Sequence, residues 1–334
     1  MKNTPPQIWV LCDDRPGNSN QALGVAEALE LPYAVKRIAY SPSANLPNFL
    51  SLNALSRLDA AKSDRLEAPW PDLVISAGRR AAPIARYIKS QSRGNSRIVQ
   101  IMWPGFPTYG VDMIVVPEHD RVHLNRNIVR VPGAPHRLNE DILEREGKMW
   151  EKTLSEVKKP YVALLIGGST RKRDFTPEHA SEVAQMASML AISMDASLLI
   201  STSRRTSDES ERVLKRQITA PFYFHDWRKA NNRMNPYIAF LALADAIVVT
   251  GDSLSMCTEA CSVGKPVLIY SPKDLSAKKH QRLHKLLFDK GYALPLTPEN
   301  LPRVQQGQFN PPSETLNPSL AIARRIKTLF FPVK

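Results

Sequence analysis

The sequence predicts an α/β protein of two doubly wound halves, each a parallel sheet with helices on both faces, facing one another across a cleft. Three observations carry this. Short β-branched runs alternate with helical patterns between Ile8 and Val116, the rhythm of parallel strands joined by helical crossovers. The same alternation restarts at Tyr161, after a charged stretch that contains no strand. A chain of 334 residues also exceeds the roughly 250–300 beyond which a single core stops growing.

In order along the chain, Ile8-Trp9-Val10-Leu11 reads as the first strand, and Gln21 to Leu29 as an amphipathic helix capped from Asn18-Ser19. Asp72-Leu73-Val74-Ile75-Ser76 is a second strand, ending at Ala77-Gly78-Arg79-Arg80 and followed by a helix from Ala81 to Lys89. Ile98 to Met102 and Met113 to Val116 continue the series. These elements define an N-terminal domain over 1–140, with 141–159 as a linker. The second domain, 160–316, opens with the strand Tyr161 to Ile166, which ends at Gly167-Gly168-Ser169. A long helix from Pro177 to Met194, the strand Ser197 to Ser201, a helix near 208–217 and the short strand Phe222-Tyr223-Phe224 follow. Ile247-Val248-Val249 then runs into the turn Thr250-Gly251-Asp252-Ser253, a helix carrying Glu259, the break Gly264-Lys265-Pro266 and the strand Val267 to Tyr270. The segment 317–334 is expected to be a C-terminal helix packing back towards the N-terminal domain.

Bulk properties exclude several classes. The apolar content, 43%, is that of a globular protein, and no apolar run approaches the roughly 20 residues that span a bilayer. Met1 to Pro6 leads into a strand almost at once, leaving no room for a secretory signal. Cys12, Cys257 and Cys261 have no C-x-x-C spacing and an odd count, which points to a reducing, cytoplasmic setting. The net charge of +13 fits phosphate or anionic lipid better than specific nucleic-acid reading, since no RNA-binding signature or zinc-finger spacing is present.

Chemistry gathers at strand ends. Gly167-Gly168-Ser169, Thr202-Ser203-Arg204-Arg205, Asn235-Pro236-Tyr237 and Thr250-Gly251-Asp252-Ser253 are expected to converge. Glycines there admit close backbone approach, and hydroxyls and arginines donate to phosphate. The helix after Ser253 begins with unpaired N–H groups that favour anions. Neither G-x-x-x-x-G-K-[ST] nor G-x-G-x-x-G after a strand occurs, which argues against a P-loop and against NAD. Glu259, inside an apolar helix, is either a structural acid paired with Lys265 or a bidentate acceptor for a ribose diol. Asp13 and Asp14, followed by Arg15-Pro16-Gly17, are either a general base at a strand end or ordinary turn residues. Gly78 and Arg79-Arg80 offer donors, and His119-Asp120 is a further acid/base pair. His280 and His284 stand at i, i+4 without a third ligand and read as surface histidines. Cys257 and Cys261 share a helix face and read as small core residues.

Two resemblances follow from these residues. Asp245 to Pro266, with Glu259 five residues before Gly264, is similar to the donor-binding segment of GT-B glycosyltransferases, especially those that build peptidoglycan lipid intermediates. That resemblance implies two Rossmann-like domains, a glutamate on the ribose, and a C-terminal helix crossing back to the first domain. Over nearly the whole chain, Asp13 to Gln21, Ile75 to Arg80, Val115 to Asp120, Gly133 to Arg137, Leu165 to Gly168, Thr202 to Thr206 and Val249 to Met256 resemble the mitochondrial-fission "elongated mitochondria" family of plants and bacteria. In plants that family is associated with recruiting a dynamin-related protein to the outer mitochondrial membrane. Bacteria have no mitochondria, so an older activity is implied.

Together these imply a GT-B-like, metal-independent glycosyltransferase. A nucleotide-diphosphate sugar is its substrate, and no cofactor or metal is expected. Gly167, Gly168, Ser169, Thr202, Ser203 and Arg204 would hold the diphosphate with Gly251, Asp252, Ser253 and Met256; Glu259 would take the ribose. Gly17, Gly78 and Arg79 are further substrate- or nucleotide-binding candidates, and Asp13 or Asp14 would activate the acceptor. The alternatives are an adaptor at a membrane surface and a nucleotide-sugar epimerase. Expected partners are the nucleotide sugar, with an anionic membrane, a lipid-linked acceptor or a protein as further options. The expected place is the cytoplasm, peripheral on the inner membrane face.

Overall fold

Each of the β-branched runs becomes a strand in the computed structural model, which describes residues 5–42, 55–122, 126–226 and 235–332. The chain divides into two compact units, the first formed by Met1–Arg137 with Asn317–Lys334, the second by Leu138–Leu316.

The first unit contains β1 (Ile8–Cys12), α1 (Pro16–Ala28), β2 (Tyr33–Arg37), β3 (Leu73–Ala77), α2 (Ala82–Gln91), β4 (Arg97–Ile101), β5 (Met113–Pro117) and β6 (Ile128–Val131). Among the described residues they form one six-stranded sheet in the order β2-β1-β3-β4-β5-β6, parallel throughout, with Val10 opposite Val35 on one side and Ile75 on the other. Side chains alternate between faces along each strand. Ile8 and Val10 therefore join one core layer with Ala22 and Val25 of α1, while Trp9 and Leu11 join the other with Ile84 and Ile88 of α2. Helix α1 begins at Pro16, ahead of the expected Gln21. Proline's fixed φ suits the first helical position, and the side chains of Asn18 and Ser19 bind Asp13 instead of capping a later start.

The second unit runs α3 (Glu140–Glu151), β7 (Tyr161–Leu165), α4 (Pro177–Ser193), β8 (Ser197–Ser201), α5 (Asp208–Gln217), β9 (Phe222–His225), α6 (Tyr237–Leu243), β10 (Ala246–Thr250), α7 (Leu254–Cys261), β11 (Val267–Tyr270), α8 (Lys278–Asp289), β12 (Leu294–Pro295) and α9 (Leu301–Gln305). Its parallel sheet has the order β12-β11-β10-β7-β8-β9. Val162 and Leu164 of β7 face one core layer; Tyr161, Ala163 and Leu165 face the other. The expected linker over 141–159 is largely α3, a helix of this unit: Asn139 caps it and Trp150 packs edge-on against Tyr223 and Phe240.

The last helix, α10 (Pro318–Phe330), belongs to the first unit. Ile322, Ala323 and Ile326 sit in the core layer of α1, and Ser319 exchanges hydrogen bonds with the backbone of His136, at 2.9 and 2.6 Å. Among the described residues, no helix is long and apolar enough to cross a membrane.

Candidate functional site

The strand orders locate the site before any side chain is considered. In the second unit the chain builds outward from β7 through β8 to β9, then crosses to the other flank of β7 with β10. The order reverses between β7 and β10, and open parallel sheets bind ligands at the carboxyl ends of the strands flanking such a reversal. In the first unit the reversal falls between β1 and β3.

At the second-unit reversal, three of the four expected loops converge. Gly167 N–H donates to Thr250 Oγ1 at 2.8 Å, while its carbonyl accepts from the hydroxyls of Ser203 and Thr206. A Cβ on Gly167 would lie 2.2 Å from the Asp252 carboxylate, and one on Gly168, at φ +125°, 2.4 Å from the Arg205 backbone. These glycines are required by close packing of one loop on the next. Ser169 N–H donates to the Arg205 carbonyl, and Ser169 Oγ accepts from Phe175 N. Thr202 is buried beside Glu211. The small polar residues expected to meet a phosphate thus hold the loops to each other.

The charge at this edge is Arg205. Its guanidinium donates to the Gly168 and Ser169 carbonyls at 3.1 and 3.2 Å and pairs with Asp252 at 2.8 Å. The Asp252 side chain is 0% exposed and that of Arg205 38%, so a buried carboxylate anchors a cation that faces outward. Burial raises the Asp252 pKa and Arg205 opposes the rise. Arg204, the expected phosphate ligand, is exposed beside it. A tandem arginine pair after a strand does not reveal which member meets the buried acid; both are exposed, and the one that pairs with Asp252 is Arg205.

Ser253 caps α7, its hydroxyl accepting from Met256 N at 3.4 Å. Gly251 is needed because the His284 ring lies where a Cβ would project, 2.5 Å away. His284 is therefore buried against Gly251 and Cys257, not a surface residue as expected. Cys257 and Cys261 are core residues, as expected. Met256 packs at the edge of the same layer.

Glu259 stands on α7 with its carboxyl accepting from the Tyr237 hydroxyl at 2.6 Å. Burial pushes its pKa up to about 7, against the pull of that hydrogen bond. The expected structural pairing with Lys265 does not form, because the Lys265 ammonium donates to the carbonyls of Ala242 and Ala244. Tyr237, at the start of α6, is the contribution of the fourth loop.

At the first-unit reversal, Asp13 is 4% exposed and Asp14 67%, and both pair with the buried Arg80. Asp13 also accepts from Arg15 N and Asn18 Nδ2, which holds the β1 loop in shape. The Arg80 guanidinium lies 4.3 Å from the Tyr40 ring centroid. Gly78, at φ +80°, leaves room for the Asn18 amide, which a Cβ would meet at 2.8 Å. Arg79 is half-buried, and Gly17 is exposed in the first turn of α1 with nothing near it. Among the described residues, no three His, Cys, Asp or Glu side chains gather as a metal site.

Two six-stranded parallel sheets with their functional loops at the strand carboxyl ends define a GT-B-like α/β protein. Comparison with solved structures bears out the fold. The UDP-GlcNAc 2-epimerase of Neisseria meningitidis, solved with UDP-GlcNAc, shares 14% identity at a TM-score of 0.54, over 98% of this chain and 100% of its own. The glycosyltransferase SnogD of Streptomyces nogalater shares 13% at 0.51, again over 98% and 100%. The chain itself belongs to the mitochondrial fission ELM1 family, whose model matches residues 16–330. An uncharacterized protein of Rickettsia prowazekii is 29% identical over 96% of this chain and 97% of its own length. The mitochondrial fission protein ELM1 of Arabidopsis thaliana is 27% identical over 61% of this chain and 52% of its own.

Proposed function

We propose that the second unit binds a nucleotide-diphosphate sugar and that the protein transfers the sugar to an acceptor. The observation that carries this reading is Glu259: a carboxyl set on the helix that follows the β10 turn, meeting a tyrosine hydroxyl in place of a cation. A ribose diol would supply two donors to such a group beyond that one hydroxyl. Arg205, fixed by Asp252, supports the diphosphate, with the N–H groups at the start of α7 beside it. Similarity of fold to an epimerase solved with UDP-GlcNAc adds support at the level of substrate class.

In this reaction the bond from sugar C1 to the diphosphate oxygen breaks and a bond from C1 to the acceptor oxygen forms. The nucleoside diphosphate leaves with the bonding pair, and the acceptor proton passes to a base. Arginine and helix N–H groups stabilise the developing charge on the leaving group. Of the two first-unit acids, Asp14 is the one exposed enough to take the proton, with Asp13 positioning Arg80 and the loop. A lipid-linked acceptor and a peripheral place on the inner membrane face belong to the same reading.

Titration calorimetry with UDP- and GDP-sugars tests it. Binding to the wild type that Glu259→Ala abolishes is expected. If no nucleotide sugar binds at millimolar concentration, the donor site is wrong, and the adaptor role associated with the family takes its place. Product analysis separates transfer from epimerisation.

A further inference from the structure

Phe106 and Tyr109, 70% and 73% exposed, are the most exposed large apolar side chains among the described residues, and they lie three positions apart in the loop after β4. Isolated exposed apolar residues are ordinary, but neighbouring aromatics held outward on one loop mark an interaction surface. The loop is built to present them. Phe106 packs edge-on against the half-buried Trp103, with centroids 5.5 Å apart. Arg86 of α2 donates to the Pro107 carbonyl at 2.6 Å and lies 5.4 Å from the Tyr109 ring. Lys89, one turn on, donates to the Gly110 carbonyl at 3.1 Å.

The charge around this loop is positive. Arg57 is buried, and its burial together with the nearby charges of Arg79 and Arg86 holds it below its usual pKa. The acid beneath the loop, Asp112, is already paired with Lys89 at 2.6 Å and Arg97 at 3.1 Å. Aromatic rings flanked by arginine suit the boundary between acyl chains and anionic headgroups, where the ring enters the apolar zone and the cation meets phosphate.

We propose that the Trp103–Tyr109 loop, with Arg86 beside it, docks the first unit onto an anionic lipid bilayer. This rests on the peripheral-membrane part of the reading above and involves none of the donor residues.

Co-sedimentation with phosphatidylcholine vesicles, with and without phosphatidylglycerol, tests the surface. The wild type is expected to bind the phosphatidylglycerol vesicles and to release as salt rises. The double variant Phe106→Ser with Tyr109→Ser, whose sites are exposed enough to keep the fold, should bind about tenfold more weakly, the factor set by roughly 1.4 kcal/mol. Brominated lipids should quench part of the wild-type tryptophan emission, and Trp103→Phe should remove that part. Undiminished binding by the double variant, or no binding by the wild type, overturns the proposal. So does a dimer that the double variant disrupts without any vesicle binding. Nucleotide-sugar calorimetry on the same variant should match the wild type, so the two readings fail separately.

Discussion

With Arg205 removed, the Asp252 carboxylate would have to ionise in the interior without the cation that now offsets its burial. Asp252 already has its pKa raised in the folded protein. A carboxyl of that kind contributes stability that is complete at low pH and is lost as pH rises through its folded value. Arg205→Ala lifts the folded value further, so its cost should be small near pH 4 and grow towards neutrality. Because Arg205 is partly exposed, roughly 1–3 kcal/mol is expected at pH 8, less than the 3–5 typical of fully buried pairs. Thermal melts across that range check it, and adding Asp252→Asn should restore most of the loss. Glu259 obeys the same sign: with a folded pKa of about 7 against an ordinary 4.5, stability present below about 4.5 declines until about 7. Nucleotide binding runs the other way, because a diol donates best to the ionised carboxylate. Affinity should rise about tenfold per pH unit up to 7 and level off above. Calorimetry at several pH values should show this slope, and Glu259→Gln should flatten it.

Among elements, strands with both faces covered announced themselves, since a parallel strand such as β7 or β10 reads as an unbroken apolar run. Strand β2, Tyr33–Arg37, did not: it is an exposed edge carrying lysine and arginine, which is how sheets protect an open edge and also how they hide from hydrophobicity patterns. Helix α8 went unread because two lysines and a histidine open it and its apolar positions show only on a helical projection. At the site, the loops and Glu259 were legible because glycine, hydroxyl and buried acid have few ordinary reasons to follow strands together. The pairing of Arg205 with Asp252, the hydrogen bond from Tyr237 to Glu259 and the burial of His284 were not. Each depends on how one loop meets another, a tertiary fact that local spacing does not encode.

On the scale of the whole chain, α10 closes the first unit although it is the last helix to be reached. Ending the chain at Leu316 should therefore lower the melting temperature of the first unit, by removing Ile322, Ala323 and Ile326 from its core. The second unit, continuous from Leu138 to Leu316, should melt as before. Calorimetric scans resolving two transitions would check this, and a shift in both would show that α10 supports more than the first unit. The discontinuity also has a consequence for biosynthesis. Translation proceeds from the amino end, so the second unit is fully made while the first still lacks its closing helix. The unit that starts first can finish only second, and until α10 leaves the ribosome the apolar side of α1 must wait in water or be shielded by a chaperone.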